Sequence, residues 1–277
     1  MRDAVTVLKG AYALAVVDSE NPDVLVGARL GSPMVIGVGL GETFLASDAG
    51  ALLPVTQRFA FLEEGDVAAL TRAGNKVVDR DGEAVSRELK TSALSMDAAD
   101  KGTYRHYMQK EIHEQPDAIA NTLEGRLADS MVLESTFGPE AATVLPKVEN
   151  VQIVACGTSY HAGLVARYWI EAMANIGCNV EISSEFRYRD CHVPPNTLFL
   201  TISQSGETAD TLAALSRSKE LGYLATMCIC NVPESSIVRQ SDLVMMTRAG
   251  AEIGVASTKA FTTQLVALFL LAIGLAK

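Results

Sequence analysis

The second half of the sequence alternates apolar runs with loops and helical segments, and this pattern restricts the fold more than any other feature. Nearly continuous apolar runs occupy 151–155, 198–202, 223–230 and 243–246, and a weaker run occupies 180–182. Strands that are apolar on both faces belong in a parallel sheet covered by helices on both sides. The pattern therefore predicts a five-stranded, parallel, doubly wound α/β domain, whose ligands bind beyond the carboxyl ends of the strands.

Helical spacing of apolar residues predicts the helices of this domain. One helix follows the first strand, carries apolar residues from Leu164 to Ile176 and stops at Gly177. A second opens near Gly206 and ends at 221–222. A third begins near Ser257, and its apolar stretch is too short to span a bilayer of about 30 Å.

The first ninety or so residues alternate short strand-like runs with turns, which predicts antiparallel sheet. The turn between the first two runs is expected at 18–23. The segment 37–41 contains three glycines but fails as a dinucleotide fingerprint, because its last glycine is misplaced and a strand follows it. A turn between strands is expected there. The expected strands are 13–17, 24–26, 34–38, 43–45, 58–61, 67–70 and 77–78.

Between these two regions the sequence becomes polar and lacks β-branched runs. A linker is expected at 95–101, followed by a helix from Tyr104, and Pro116 requires a new helix start.

The charge and the cysteines restrict the class of protein. A net charge of −10 disfavours nucleic acid as a partner, although a phosphate can still be held locally by N–H groups and hydroxyls. The cysteines are five, an odd number, and lie in apolar surroundings, which favours reduced, buried thiols and a cytoplasmic location. Cys228 and Cys230 have no second ligand pair at zinc-like spacing, so no metal is expected. The N-terminus lacks an apolar signal core, and no membrane partner is expected.

Three loops at the predicted carboxyl rim are rich in small hydroxylated residues: 156–159, 203–208 and 254–259. In the middle loop an apolar strand passes directly into a helix, so free N–H groups and the positive end of the helix dipole point into one small space. A phosphate fits such a space, and the missing nucleotide-binding lysine motif makes a phosphomonoester a better candidate than ATP. No cofactor is expected. The alternative is that these Ser and Thr residues only cap helices.

Other polar residues give weaker indications. His106, His113, His161 and His192 are interpreted as surface or capping residues, because none is paired with an evident nucleophile or second base. Glu252 and Lys259 flank the third loop, where they either reach the ligand or form a solvated ion pair.

Several of these segments resemble one family. The segments are 156–160, 185–189, 203–211, 229–233 and 252–264. Together they resemble the first sugar isomerase (SIS) domain of the glutamine-fructose-6-phosphate aminotransferase family. The segment 104–112 resembles the start of that family's isomerase half, and 52–56 with 61–66 resembles the end of its glutaminase half.

The resemblance implies a fold and a set of binding residues. It implies an α/β chain in which part of an antiparallel, N-terminal-nucleophile-type glutaminase domain (1–95) is followed by a linker and helices (96–135) and by the first SIS domain (136–277). It also implies binding of fructose 6-phosphate or glucosamine 6-phosphate, and a homodimer in the full-length family member. The implied phosphate-binding residues are Ser203, Gln204, Ser205, Gly206 and Thr208 with Ser159, and the implied sugar-binding residues are Thr158, Val255, Ala256 and Ser257.

The departures from the family pattern imply that the chain carries no catalytic residue. The family's glutaminase nucleophile is an N-terminal cysteine, whereas Arg2 follows Met1 here and the first cysteine is Cys156. The second sugar domain and the tail with the family's catalytic acid, lysine and histidine have no counterpart. The chain is therefore expected to be an inactive fragment of an aminotransferase. The alternatives are a non-catalytic SIS-type sugar-phosphate sensor and a truncation that folds poorly and aggregates.

Overall fold

The computed structural model describes residues 1–91, 101–129 and 131–276. The chain divides into two compact units, Met1–Ala98 (unit 1) and Ala99–Lys277 (unit 2). The expected linker, 95–101, and the expected boundary after residue 95 lie outside the described residues except for Lys101.

Unit 1 begins with a short helix, α1 (Arg2–Val5), and contains antiparallel strands joined by turns. A 3-10 turn, Ala49–Leu52, lies between the fourth and fifth strands. The strands are β1 (Tyr12–Asp18), β2 (Asn21–Leu30), β3 (Val35–Val38), β4 (Thr43–Ala46), β5 (Arg58–Phe61), β6 (Val67–Thr71), β7 (Gly74–Val78), β8 (Ala84–Val85) and β9 (Leu89–Thr91).

The strands of unit 1 form two sheets, with the orders β1-β2-β6-β7-β8 and β4-β3-β5-β9. Every pairing among them is antiparallel, as predicted from the sequence. Apolar side chains of both sheets share one core, in which Ile36 and Leu62 meet Ala68 and Leu70. The turn expected at 37–41 does join β3 to β4, but it comprises residues 39–42, because Gly37 and Val38 belong to β3 and pair with β4.

The turn expected at 18–23 is shorter than the sequence suggested. Asp18 pairs with Asn21, so the turn comprises only residues 19–20, and Pro22 lies within β2. The register shifts after Val17, and a proline is tolerated at such a bulge because no ladder hydrogen bond is required of it.

An ion pair connects Asp66, the residue before β6, to the segment before β9. Asp66 is fully buried, and it accepts hydrogen bonds from Arg87 Nε at 2.8 Å and Nη2 at 2.7 Å. The backbone N–H of Glu63 donates to the same carboxylate at 2.8 Å. The hydrogen bond to Asp66 raises the pKa of Arg87 above its ordinary value. Arg87 also contacts Glu63, whose side chain is 70% exposed, at 2.8 Å.

Unit 2 alternates helices with strands. Its 3-10 turns are Glu134–Phe137 and Leu145–Lys147. Its strands are β10 (Leu127–Ala128), β11 (Met131–Val132), β12 (Asn150–Ala155), β13 (Gly177–Ile182), β14 (Thr197–Ser203), β15 (Ala225–Cys230) and β16 (Leu243–Met246). Its helices are α2 (Tyr107–His113), α3 (Gln115–Leu123), α4 (Ala141–Val144), α5 (Gly157–Trp169), α6 (Ser183–Phe186), α7 (Ala209–Ser218), α8 (Ser236–Gln240) and α9 (Lys259–Leu275).

The main sheet of unit 2 has the order β13-β12-β14-β15-β16, and all of its pairings are parallel. Alternate residues of β12, β14 and β15 enter different cores. Ile153 packs in the core that contains α5 and α9, and Val154 packs in the core that contains α7 and α8. Helices therefore cover both faces, and the predicted doubly wound α/β fold is confirmed.

Several helix bounds differ from those predicted. The first helix after β12 ends in a π-helical turn, Ile170–Ala174, and Asn175 takes the left-handed conformation with φ 54°, so Gly177 is the first residue of β13 rather than a helix stop. The second begins at Ala209 instead of Gly206.

Two other bounds also change. The third long helix begins at Lys259 rather than Ser257, and α2 begins at Tyr107 rather than Tyr104. Pro116 does mark a new helix start, that of α3. Among the residues described, none of the helices combines the length and apolar character that crossing a bilayer requires.

Replacing Asp66 by alanine is expected to destabilise unit 1 by about 1.5–3 kcal/mol, because Arg87, whose side chain is 16% exposed, loses its charged hydrogen-bond partner. Replacing Glu63, the exposed partner of the same arginine, is expected to cost less than about 1 kcal/mol. Hydrogen exchange of the β6 amides measures both losses. Equal losses in the two variants would contradict this account of the buried pair.

Candidate functional site

The site is built where the chain order of the parallel sheet reverses. From β12 the chain continues to β13 on one side, whereas β14 on the other side leads towards β15 and β16. Ala155 pairs with Ile202, so the loops after β12 and β14 leave neighbouring strands at the same level. A crevice at such a switch point is the usual ligand site of open α/β sheets.

The first loop leads from β12 into α5. Cys156 is the N-cap residue of α5 and makes no side-chain cap hydrogen bond. Thr158 is exposed, whereas Ser159 is only 7% exposed. The hydroxyl of Thr211, on α7, lies 3.9 Å from Cys156 Sγ, which connects this loop to the helix that follows the middle loop.

The middle loop folds around the hydroxyl of Ser203. Ser203 Oγ accepts a hydrogen bond from the Gly206 N–H at 2.9 Å and lies 3.3 Å from Thr208 Oγ1. Ser205 Oγ accepts from the Glu207 N–H at 3.2 Å. Thr208 is the N-cap of the ten-residue helix α7 but makes no side-chain cap hydrogen bond. The capping interpretation therefore fails for Thr208. The hydroxyls of Ser203 and Ser205 each accept one hydrogen bond from the backbone of the loop itself.

Gly206 is required at its position for two reasons. Its φ is +69°, which L residues rarely adopt, and a Cβ there would lie 2.0 Å from Ser235 Oγ and 2.8 Å from Cys230 Sγ. The Gly206 carbonyl accepts from the Ile237 N–H at 3.1 Å, so α8 packs directly against the loop.

Glu207 makes a second hydrogen bond between the middle loop and α8. Its Oε1 accepts a hydrogen bond from the Ser236 N–H at 2.8 Å, at the start of α8. Sequence reasoning missed this role. The available signal was the acidic residue that follows Gly206 in a loop otherwise rich in hydroxyls.

In the third loop the hydrogen bonds of Glu252 fix the start of α9. Glu252 Oε1 accepts from the N–H groups of Thr258 at 2.8 Å and Ala260 at 3.1 Å. Ser257 Oγ donates to Glu252 Oε2 at 2.9 Å. Val255 and Ala256 are exposed. The apex of the loop, Val255 and Ala256, therefore faces solvent, whereas the hydroxyl of Ser257 is already hydrogen-bonded to Glu252.

Glu252 and Lys259 do not form the solvated pair that was one of the sequence interpretations. Lys259 is 5% exposed, and its Nζ lies 2.7 Å from Glu114 Oε2 on the chain before α3. Burial by itself raises the pKa of Glu114, but the hydrogen bond and charge of Lys259 and the charge of Lys110 outweigh it, so that pKa lies below its ordinary value.

The predicted site residues thus fall into two sets. Those of the first and middle loops lie at neighbouring strands, and those of the third loop precede α9, which packs against α5. The first two loops directly follow strands of the parallel sheet, whereas the third lies between β16, which ends at Met246, and α9.

The cysteines are free, but burial is uneven. Cys178, Cys228 and Cys230 are buried, whereas Cys156 and Cys191 are half-buried, so the expectation that all five are buried is wrong for these two. Burial raises the pKa of Cys178 to about 12, which keeps this thiol protonated and unreactive at neutral pH.

The histidines are exposed, as expected for surface residues: His106, His113, His161 and His192. In the part of the chain that the structure describes, no group of three or more His, Cys, Asp or Glu residues is arranged to hold a metal ion.

Comparison with known proteins identifies the relatives of this chain. Residues 145–274 match the SIS domain family. The chain is 62% identical over all 277 of its residues to a glutamine–fructose-6-phosphate aminotransferase (isomerizing) from Idiomarina loihiensis, of which it covers 45%. The Pseudomonas aeruginosa enzyme of that name is 61% identical over 275 residues, which is 99% of this chain and 45% of the relative.

The chain belongs to the glutamine–fructose-6-phosphate aminotransferase family. The resemblance inferred from the sequence motifs is confirmed, and the chain spans less than half the length of these relatives.

A solved structure of this aminotransferase family supports the fold. The C-terminal domain of glucosamine-fructose-6-phosphate aminotransferase from Francisella tularensis has 56% identity and a TM-score of 0.63. The match covers 64% of this chain and 50% of that one.

Replacing Gly206 by alanine is expected to cost about 1–3 kcal/mol more than the same change at Gly222, because only Gly206 combines positive φ with neighbours that a Cβ would overlap. Gly222 has φ +78° and nothing within 4 Å of the added Cβ, so its loss should be about 1–2 kcal/mol of backbone strain. Urea denaturation followed by Trp169 fluorescence compares the two. Losses that agree within error would show that the crowding at Gly206 relaxes freely.

Proposed function

We propose that unit 2 binds a hexose 6-phosphate, either fructose 6-phosphate or glucosamine 6-phosphate, as the SIS part of an aminotransferase that makes glucosamine 6-phosphate from fructose 6-phosphate and glutamine. The observation that carries this proposal is the middle loop. It lies at the switch point of the sheet and leads into a ten-residue helix whose N-cap side chain leaves the first turn uncapped.

The middle loop suits a phosphomonoester. The first N–H groups of a helix have no partner within the helix, and the helix dipole favours an anion at that end. Thr208 Oγ1 and Gln204 add side-chain donors, and Gly206 brings the backbone close to the ligand. We assign Ser203, Gln204, Ser205, Gly206 and Thr208, together with Ser159 of the neighbouring loop, to the phosphate.

The remaining candidates are assigned to the sugar. Thr158 is exposed at the start of α5, and Val255 and Ala256 are exposed at the apex of the third loop. Ser257 donates its hydroxyl proton to Glu252, which leaves its oxygen lone pairs able to accept a hydrogen bond from a sugar hydroxyl.

For unit 1 we propose that residues 1–95 correspond to the C-terminal part of a glutaminase-type domain of the N-terminal-nucleophile class. Two stacked antiparallel sheets and the sequence match of the whole chain to the aminotransferases support this assignment. Residues 96–135 are then the linker and its helices, and 136–277 the first SIS domain. A cytoplasmic homodimer is proposed for the full-length enzyme.

A SIS-type sensor without catalysis is the other candidate that the sequence allowed. It accounts for sugar-phosphate binding by unit 2 but not for unit 1, which is antiparallel sheet and matches the aminotransferases over its whole length. The aminotransferase assignment is therefore preferred.

Fructose 6-phosphate is expected to bind saturably to the chain in titration calorimetry. The change Thr208→Val, which removes one hydroxyl and keeps the shape, is expected to weaken binding about 10-fold or more, because a hydrogen bond to a charged group contributes about 1.5–3 kcal/mol. Ser216, exposed on the same helix, provides the control, and Ser216→Ala should leave the affinity unchanged. Absence of any heat with folded protein would refute hexose-phosphate binding.

A further inference from the structure

The third loop is held in place by side chains from a distant part of the sequence. Helix α2 and the start of α3 reach the segment 253–262 through Glu111, Glu114 and Gln115. These partners are separated along the chain by more than 140 residues. Such contacts fix a loop much more firmly than the loop's own sequence can.

Glu111 makes the contact nearest to the apex of the loop. Its Oε1 accepts hydrogen bonds from the N–H groups of Ile253 at 2.6 Å and Gly254 at 3.0 Å. Glu111 is only 2% exposed. A buried carboxylate is costly to desolvate, so hydrogen bonds to its charged form hold both partners strongly in place.

The second oxygen of this carboxylate, Oε2, explains why residue 254 is a glycine. A Cβ at position 254 would lie 2.5 Å from Glu111 Oε2, so a glycine is needed there for the loop to approach the carboxylate. The backbone at Gly254 is not in the left-handed region, which means that this approach, and not the local conformation, demands the glycine.

Within residues 1–91, 101–129 and 131–276, Glu111 Oε2 has no hydrogen-bond partner. An unsatisfied buried oxygen costs stability, and an apolar side chain of the same shape avoids that cost. Stability alone therefore does not account for a glutamate at this position, whereas fixing two adjacent backbone N–H groups does.

The hydrogen bonds of Glu111 and Glu252 leave only the apex of the loop free to meet a ligand. Glu111 fixes residues 253–254, and Glu252 fixes residues 257–260. Val255 and Ala256 lie between these two anchors and are exposed. A shift of the first anchor necessarily moves the apex.

We propose that Glu111 is a positioning residue for hexose binding: its buried carboxylate sets the backbone at 253–254 and thereby places Val255 and Ala256 against the sugar. This inference rests on the proposed function, and it divides the site into two independent parts. The phosphate loop, 203–208, is held by its own hydroxyls and by α8, and none of its hydrogen bonds described above involves Glu111.

The experiment measures the affinities for two ligands, fructose 6-phosphate and inorganic phosphate, and the hydrogen exchange of the third loop. In Glu111→Ala, affinity for fructose 6-phosphate should fall about tenfold, the equivalent of one lost hydrogen bond, while affinity for inorganic phosphate stays within about twofold. Hydrogen exchange at Ile253 and Gly254 should accelerate in the same variant. Glu111→Gln keeps an acceptor oxygen and should retain most of the hexose-phosphate affinity. Gln109→Ala, an exposed change on the same helix, is the matched control.

A double-mutant cycle with Gly254 tests the contact directly. Gly254→Ala alone should weaken fructose 6-phosphate binding, because the new Cβ collides with the carboxylate. In the Glu111→Ala background the same change should have almost no further effect, since the obstructing oxygen is gone. Additive effects would overturn the proposal.

The outcomes separate this inference from the proposed function. If the chain binds fructose 6-phosphate and folded Glu111→Ala binds it equally well, Glu111 has no positioning role while the function stands. If the unaltered chain does not bind fructose 6-phosphate, the function and this inference fall together. If Glu111→Ala does not fold, Glu111→Gln and Gly254→Ala decide, and unchanged fructose 6-phosphate affinity in Gly254→Ala overturns the proposal.

Discussion

The register between β12 and β14 is the constraint on which the candidate site depends. These adjacent parallel strands end at the same level, and the chain leaves them in opposite directions across the sheet. The loops that follow therefore leave neighbouring strands side by side, and they lead into helices α5 and α7 on opposite faces of the sheet. Because a helix cannot satisfy its own first N–H groups, the junction concentrates unpaired donors in one crevice.

The middle and third loops use different acceptors for their backbone N–H groups. The middle loop folds with two serine hydroxyls, which accept from Gly206 and Glu207. The third loop uses two carboxylates, Glu111 and Glu252, each of which accepts from two backbone N–H groups. Hydroxyls are neutral and leave room for an anion beside them, whereas carboxylates are anions already.

Much of the fold could be predicted from local patterns, because period-two and continuous apolar runs report burial directly. The five parallel strands and the antiparallel sheets of unit 1 were found in this way, and so were the three hydroxyl-rich loops. The features that the sequence did not predict correctly were local details of helix ends and contacts between distant parts of the sequence. Asn175 takes the left-handed position that was assigned to Gly177, and Glu111 meets Ile253 across 142 residues of sequence. No periodicity can reveal a partner at that separation.

The carboxylates also bear on the orientation of the proposed ligand. Helices α5, α7 and α9 follow the three hydroxyl-rich loops, but the N-terminus of α9 is already occupied by Glu252, which acts as an internal anion there. A phosphate placed beside it would meet like charge, and Glu111 adds a second negative group to the same loop. At α7 the N-cap residue makes no such bond. The carboxylate of the middle loop, Glu207, is engaged by the Ser236 N–H at the start of α8. We therefore propose that the phosphate lies at the middle loop and that the neutral sugar faces the apex that Glu111 holds.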